Sequence, residues 1–397
     1  MYGIAFDLGT TQIAAYLCDL EKGNITDTVS CQNPQIECGL DVLSRVSYRN
    51  ASADNAQRLS SLLGDRIVKI TADFSEEYGE AERILLVGNP IIMGSIADYP
   101  FNEHPKVIRI PGIAHYVGAD ALSGAALLQK DRKNKNVILV DIGTNTEIVL
   151  LSDQKNVATS AAAGPAMEGG NLSCGMRGEE GAIASARLTN GVSNNSDIIF
   201  NVIGDVEPKG ICGSGYFSLL ECMKAAGVIN NDGYLLSKDE ALRENLPHRI
   251  VSRLDTDNTS DKNKNEDRIF RLTGPITISQ EDIRNLQLAI SAIRTGVEIV
   301  INESGLTEGV IDSVYLAGAF GNKITQESIT AVGMLPEKLN DKVVQAGNLA
   351  GIGACHMLMN EASITDAISL KNSVLTVSLA NHKDFRDLFV KNLSFNA

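Results

Sequence analysis

Two short segments of the chain set an acid, a glycine and hydroxyl or amide side chains in the same order. Asp7-Leu8-Gly9-Thr10-Thr11 recurs as Asp141-Ile142-Gly143-Thr144-Asn145, 134 residues further on (141 − 7), and the flanks align without a gap. Residues 6–17 read FDLGTTQIAAYL and residues 140–151 read VDIGTNTEIVLL. Each copy predicts a strand, a tight polar turn and a second strand. The chemistry such a turn supports is anion binding. Glycine lets the main chain approach a phosphate without a Cβ in the way, and successive N–H groups form a concave nest for negative charge. Thr10, Thr11, Thr144 and Asn145 add side-chain donors. Asp7 and Asp141 are themselves anionic, so they make sense through Mg held by way of water, since that ion takes one or two carboxylates, phosphate oxygens and several waters. Either copy alone is equally an ordinary hairpin turn, where Asp and Gly are favoured. The aligned pair, at domain-scale separation, points to a two-lobed nucleotide site.

Further residues follow in an order such a site would use. Asp120 stands at a helix start after Gly118-Ala119, 21 residues before Asp141 (141 − 120). An acid there could orient or deprotonate a water for phosphoryl transfer; it also suits an N-cap, and the two roles can coexist. Gly164, Gly169 and Gly170 would let backbone approach phosphate or ribose, or would allow tight helix–strand packing. Gly213-Ser214-Gly215 opens a helix, an anion-ready or ribose-ready place. Gly318-Ala319-Phe320-Gly321 ends a strand, where open α/β sheets bind ligands; small side chains there leave space for a flat base, bordered by Gly318 and Phe320. Glu147, Glu168 and Arg177 are further polar candidates. Glu147 could reach Mg indirectly, although a solvated edge or an ion pair explains each of the three.

The elements that must position these residues alternate strand and helix, which predicts α/β lobes. Residues 55–70 predict a helix with Leu59, Leu62, Leu63, Ile67 and Ile70 on one face. RILLV at 83–87 predicts a buried strand ending at Gly88-Asn89-Pro90, and Asp120 opens a small-residue helix to Leu128. Residues 278–304 predict a long amphipathic helix opened at Ser279, with Glu281 and Asp282 in its first turn. Residues 255–267 (DTDNTSDKNKNED) read as a flexible surface insertion. The expected division is a first lobe over 1–136, a second over 137–346, and a returning helix and C-terminal segment over 347–397.

Bulk properties exclude several classes. A net charge of −14 argues against non-specific nucleic-acid binding and against an anionic membrane surface. Trp is absent and only 5% of residues are aromatic, so base-stacking platforms are not expected. No apolar run approaches a membrane span, which takes roughly 20 residues. The chain enters a strand at once, leaving no room for a signal peptide, and a cytoplasmic location is expected. Seven scattered cysteines without a C-x-x-C read as reduced thiols. The histidines are scattered too, so no transition-metal site is expected.

The residues above resemble the actin, sugar-kinase and heat-shock-chaperone ATPase superfamily. In that resemblance, 7–11 and 141–145 are the two phosphate motifs, 120–128 and 347–359 the connecting helices, and 316–321 the adenosine motif. It implies two ribonuclease-H-like lobes with ATP and Mg in a cleft between them. A more specific resemblance is to the C-terminal ATPase domain of reductive activators of corrinoid proteins. It is carried by Val87-Gly88-Asn89 with Met93, by 116–120 (YVGAD), 163–183 (AGPAMEGGNLSCGMRGEEGAI) and 210–215 (GICGSG), and by 278–296, 316–324 (LAGAFGNKI) and 347–354 (GNLAGIGA). Together these stretches span nearly the whole chain in order.

That resemblance implies ATP hydrolysis coupled to reduction of an inactive Co(II) corrinoid to Co(I), on the corrinoid protein of a methyltransferase system. Such activators carry an N-terminal ferredoxin-like domain with a two-iron two-sulfur cluster. Met1 stands just before the first phosphate strand here, so no iron–sulfur cluster is expected in this chain, and the electron would come from a separate ferredoxin-like donor. The stretch between Met93 and Pro111 also looks shorter than in the family. A homodimer is compatible with this architecture, although no interface pattern is readable. Two other readings stay open: a small-molecule or sugar kinase with Asp120 as base, and a nucleotide-dependent sensor or scaffold with little turnover.

Overall fold

The first hairpin is built from apolar segments, and its first strand is buried along most of its length. The structure, a computed structural model, describes residues 1–39, 41–189, 195–256, 268–321 and 323–395, with the side chains of Ala319 and Phe320 outside that description. The expected insertion at 255–267 therefore lies mostly outside the described residues. Tyr2–Leu8 and Gln12–Asp19 pair antiparallel, with Asp7 opposite Ala14 and Leu8 opposite Ile13. Tyr2–Leu8 also pairs in parallel with Ala81–Gly88. Ile4, Ala5, Phe6 and Leu8 are all fully buried, the pattern of a strand covered on both faces. The five strands run in the order Asn24–Gln32, Gln12–Asp19, Tyr2–Leu8, Ala81–Gly88, Lys106–Arg109.

The helix predicted over 55–70 runs from Ala53 to Tyr78. Leu63, Ile67, Ile70 and Phe74, spaced along one face, enter the same core cluster as Phe6, Ile13 and Leu86. It ends at Gly79, whose φ of +93° no L residue adopts readily.

The chain divides into two compact units that are discontinuous in sequence. One comprises Met1–Leu139, Glu147–Ser160 and Ala346–Val377; the other comprises Val140–Thr146, Ala161–Gln345 and Ser378–Ala397. In the first unit, the small-residue helices Ala119–Asp131 and Leu349–Met359 lie in close contact. Ser123 Oγ donates to the Ala350 carbonyl at 2.7 Å, and a Cβ on Gly353 would stand 2.3 Å from the Ser123 carbonyl oxygen. Val374–Thr376 extends Asn156–Ala161 in parallel.

In the second unit, Ser313–Ala317 lies between residues 343–345 and residues 140–142, the end of the second hairpin's first strand. Ala182–Leu188 is flanked by Ile198–Val202 and Gly210–Ile211, and Arg268–Thr273 by Leu254–Thr256 and Ile276–Ser279. The long helix Gln280–Ser304 begins as its sequence predicts: Ser279 caps it and Asp282 returns the bond to the Ser279 N–H, a capping box. Asp282 is buried and also accepts from the Ser173 N–H at 2.7 Å and the Ser173 hydroxyl at 2.5 Å. Removing it leaves three donors without an acceptor. Asp282→Ala is expected to lower unfolding stability by roughly 2–4 kcal/mol, measured by denaturant titration; a loss below about 0.5 kcal/mol, the level of a plain surface change, would contradict this account. Among the described residues, no helix is long and apolar enough to cross a membrane.

Candidate nucleotide site

Residues 9–11 of the first hairpin turn lie in the first unit and residues 143–145 of the second in the second. In the first, a Cβ on Gly9 would lie 2.8 Å from the Gln12 carbonyl oxygen, so the turn closes this tightly only with glycine. Buried Asn33 straps both sides of the turn. Its Nδ2 donates to the Gly9 carbonyl at 2.9 Å and its N–H to the Thr11 carbonyl at 2.9 Å. With those carbonyls turned toward Asn33, Thr10 and Thr11 are held at a half-buried turn with fixed backbone. Sequence reasoning missed Asn33, because a single Asn in a loop carries no spacing signal.

Asp7 and Asp120 come together in this unit. Burial, then the charge of Asp120, push the Asp7 carboxyl up to about 7, against the lowering effect of a hydrogen bond from Asn348. That bond runs from Asn348 Nδ2 to Asp7 Oδ2 at 2.7 Å. Burial also pushes Asp120 up, to about 6, partly offset by backbone N–H donors, among them Ala121 at 2.8 Å. Asp120 is not the N-cap of its helix. Gly118 holds that position without a side-chain cap, and the Asp120 carboxylate folds back so closely that a Cβ on Gly118 would stand 2.2 Å from Oδ1. The same Cβ would be 2.8 Å from the Gly88 carbonyl oxygen, which accounts for the glycine at 118.

Asp7, its proton affinity raised by burial and by the charge of Asp120, is a carboxylate that a divalent cation relieves. Mg needs only one or two such protein ligands when phosphates supply the rest. Among the described residues, no three His, Cys, Asp or Glu are gathered as a metal site. The arrangement thus fits Mg shared with a phosphate.

A carboxyl raised from 3.8 to about 7 holds its proton more tightly in the folded chain. Its contribution to stability is therefore fully present below the unfolded value and lost as pH rises through about 7. In Mg-free protein, Asp7→Asn is expected to gain on the order of 2 kcal/mol at pH 8 and nothing at pH 3.5. Parallel unfolding curves at both pH values would contradict this.

In the second unit, the Gly143 N–H donates to the Asn145 carbonyl at 3.2 Å and closes the turn. Thr144 Oγ1 donates to Glu168 Oε1 at 3.2 Å, so the turn is joined to the Pro165–Glu168 segment. Gly318 has φ +87°, and a Cβ there would lie 2.3 Å from the Ile142 carbonyl oxygen and 3.0 Å from Asp141 Oδ1. The strand Ser313–Ala317 therefore ends close to Asp141 and continues as a short helical turn, Gly318–Gly321, so that these residues end a strand as expected. The side chains of Ala319 and Phe320 lie outside the described residues.

Gly169 and Gly170 are accounted for by packing. Their N–H groups donate to Ala166 and Pro165 carbonyls, and a Cβ on Gly169 would stand 2.4 Å from the Met176 carbonyl oxygen. Any role toward a ligand is one of leaving space. Gly213 and Ser214 begin the helix Gly213–Ala225, whose first turn has no side-chain cap. The Ser214 hydroxyl donates to the Ala184 carbonyl at 3.0 Å, and Gly215 lets the helix seat on Ile183, whose carbonyl oxygen would be 2.1 Å from a Cβ. In the first unit, Glu147 is buried and accepts from Ser160 Oγ at 3.3 Å, so it is not on a solvated edge. Arg177 is exposed.

Mixed α/β sheets and duplicated D-x-G-T hairpins define an actin-like fold of the class that includes sugar kinases. The comparison with known families makes this specific. Residues 135–397 match the C-terminal domain of RACo, the ASKHA domain, and residues 2–97 match the RACo middle region. The chain belongs to the RACo family. It is 30% identical to the corrinoid activation enzyme RamQ of Eubacterium limosum, over 100% of this chain and 70% of that protein. It is 24% identical to a [Co(II) methylated amine-specific corrinoid protein] reductase of Methanosarcina barkeri, over 100% of this chain and 77% of that one. A solved reductive activator for a corrinoid, iron-sulfur protein superposes with a TM-score of 0.78 at 26% identity, over 99% of this chain. The chain spans 66% of that activator's length.

Proposed function

We propose that this chain binds and hydrolyses ATP with Mg and so drives reductive reactivation of a corrinoid protein of a methyltransferase system, Co(II) to Co(I). The observation that carries the nucleotide half is the paired D-x-G-T turn, one copy of which sits at the half-buried Asp7–Asp120 pair. The corrinoid half is supported by membership of the RACo family and by relatives named for acting on corrinoid proteins. Thr10, Thr11, Gly9, Gly143, Thr144 and Asn145 would hold the β- and γ-phosphates. Asp7 and Asp141 would hold Mg through water, where the ion neutralises developing phosphate charge. Asp120, raised toward neutrality, positions the attacking water and takes up its proton. Gly318–Gly321 would border the adenosine.

In this reading the two compact units act as the two lobes, with 346–377 belonging to the first and 378–397 to the second, so that only part of the expected 347–397 segment returns to the first. ATP-bound and ADP-bound states differ in affinity for the corrinoid partner, and that difference supplies the drive. The electron comes from an iron–sulfur module outside these residues. A cytoplasmic location and a homodimer belong to the same proposal; the former is supported by seven free cysteines.

The test separates hydrolysis from phosphoryl transfer to a metabolite. With purified chain, Mg and ATP, each ADP formed should be matched by one inorganic phosphate. ADP formed without matching phosphate when sugars or other small acceptors are added would overturn the ATPase reading in favour of a kinase.

A further inference from the structure

We infer that Asn348 is a positioning residue for Asp7, fixing the carboxylate that would hold Mg; the inference rests on the Mg–ATP reading above. Asn348 uses both ends of its amide. Its Oδ1 accepts from the Gly351 N–H at 2.8 Å and caps the helix Leu349–Met359. Its Nδ2 donates to Asp7 Oδ2 at 2.7 Å. The amide cannot be turned over, because an N–H needs an acceptor on one side and a carboxylate needs a donor on the other.

The seat of this residue is set by packing. Gly347 has φ +64°, and a Cβ on Gly351 would stand 2.4 Å from the Tyr16 ring. The helix start is thus pressed onto the first hairpin strand pair. The Asp7 backbone is fixed between Ala14 and Val87 of its neighbouring strands. Rotation of the carboxylate is the freedom that remains, and Asn348 removes it. The charge of Asp120 repels the same carboxylate, and the Asn348 amide holds it against turning away. A donor on a ligating carboxylate is the kind of outer partner whose loss weakens metal affinity about 10- to 100-fold.

The plain alternative is that Asn348 only caps its helix. Asn348→Ser separates the two, since Ser keeps a capping oxygen for the Gly351 N–H and lacks the reach and the amide donor for Asp7. Mg is titrated calorimetrically into the full chain saturated with a non-hydrolysable ATP analogue, alongside thermal unfolding without Mg. The expected result is a Mg dissociation constant raised roughly 10-fold or more, with the unfolding midpoint near that of the wild type. Asn348→Thr, a second capping variant, should repeat it. Mg isotherms of both variants overlying the wild type would reduce Asn348 to a cap and overturn the inference. A wild-type chain that binds the analogue with no Mg dependence would overturn the Mg reading itself, a distinguishable failure.

Discussion

Asp120→Asn is expected to cut ATP turnover by the full chain roughly 10²- to 10⁴-fold, the range for loss of a positioned general acid–base group. The affinity for Mg–ATP should change far less. Asp120 lies beside Asp7 and is raised by burial, with backbone N–H groups opposing the shift. A group near 6 is mostly ionised at pH 7 yet basic enough to take a proton from water as the phosphoryl bond breaks. Asparagine keeps the size and can still accept from the Ala121 N–H, so the helix start should survive. Turnover limited by this group should fall as pH drops through about 6. Wild-type turnover by the Asn variant would reduce Asp120 to a helix-start residue and shift the search for the water-positioning group elsewhere.

Gly318→Ala is expected to have the second large effect. At φ +87° an L side chain is strained, and the added Cβ would meet the Ile142 carbonyl oxygen at 2.3 Å and Asp141 Oδ1 at 3.0 Å. The backbone oxygen cannot move without breaking the strand beside it. Strain of this kind costs about 1–3 kcal/mol, and the clash displaces Asp141 or the strand end. Thermal unfolding should show the loss, and ATP affinity at saturating Mg should fall at least about 10-fold, a difference of roughly 1.4 kcal/mol. An alanine variant as stable as wild type, with unchanged ATP affinity, would show that the close approach over Asp141 has no bearing on the site.

Much of the site's frame is legible in the sequence, for physical reasons. D-x-G-T between period-2 apolar runs leaves few alternatives to a hairpin, and Ser279 with Asp282 announces the long helix through its capping box. The apolar stripe of the helix at 53–78 is read only to residue 70, although Phe74 continues the same face four residues beyond Ile70 and Thr71 is buried beside it. Asp120 was readable as an acid at a helix start but not as a residue folded back over Gly118; that depends on Gly88, 30 residues earlier in the chain (118 − 88), passing close by. Asn33 and Asn348 were silent. Each is a single amide whose meaning comes from a partner 24 or 341 residues away, and no local period records such a pairing. Gly169 and Gly170 show the opposite: their sequence signal is strong, yet close packing inside their own loop accounts for it.

The most direct measurement is Mg-dependent ATP turnover by the purified chain, with and without a Co(II)-loaded corrinoid protein of a methyltransferase system. The account predicts turnover that rises when the corrinoid protein is added and is lost in Asp141→Asn. Turnover that is the same with and without any corrinoid protein would contradict it, leaving an actin-like ATPase whose partner is not a corrinoid protein.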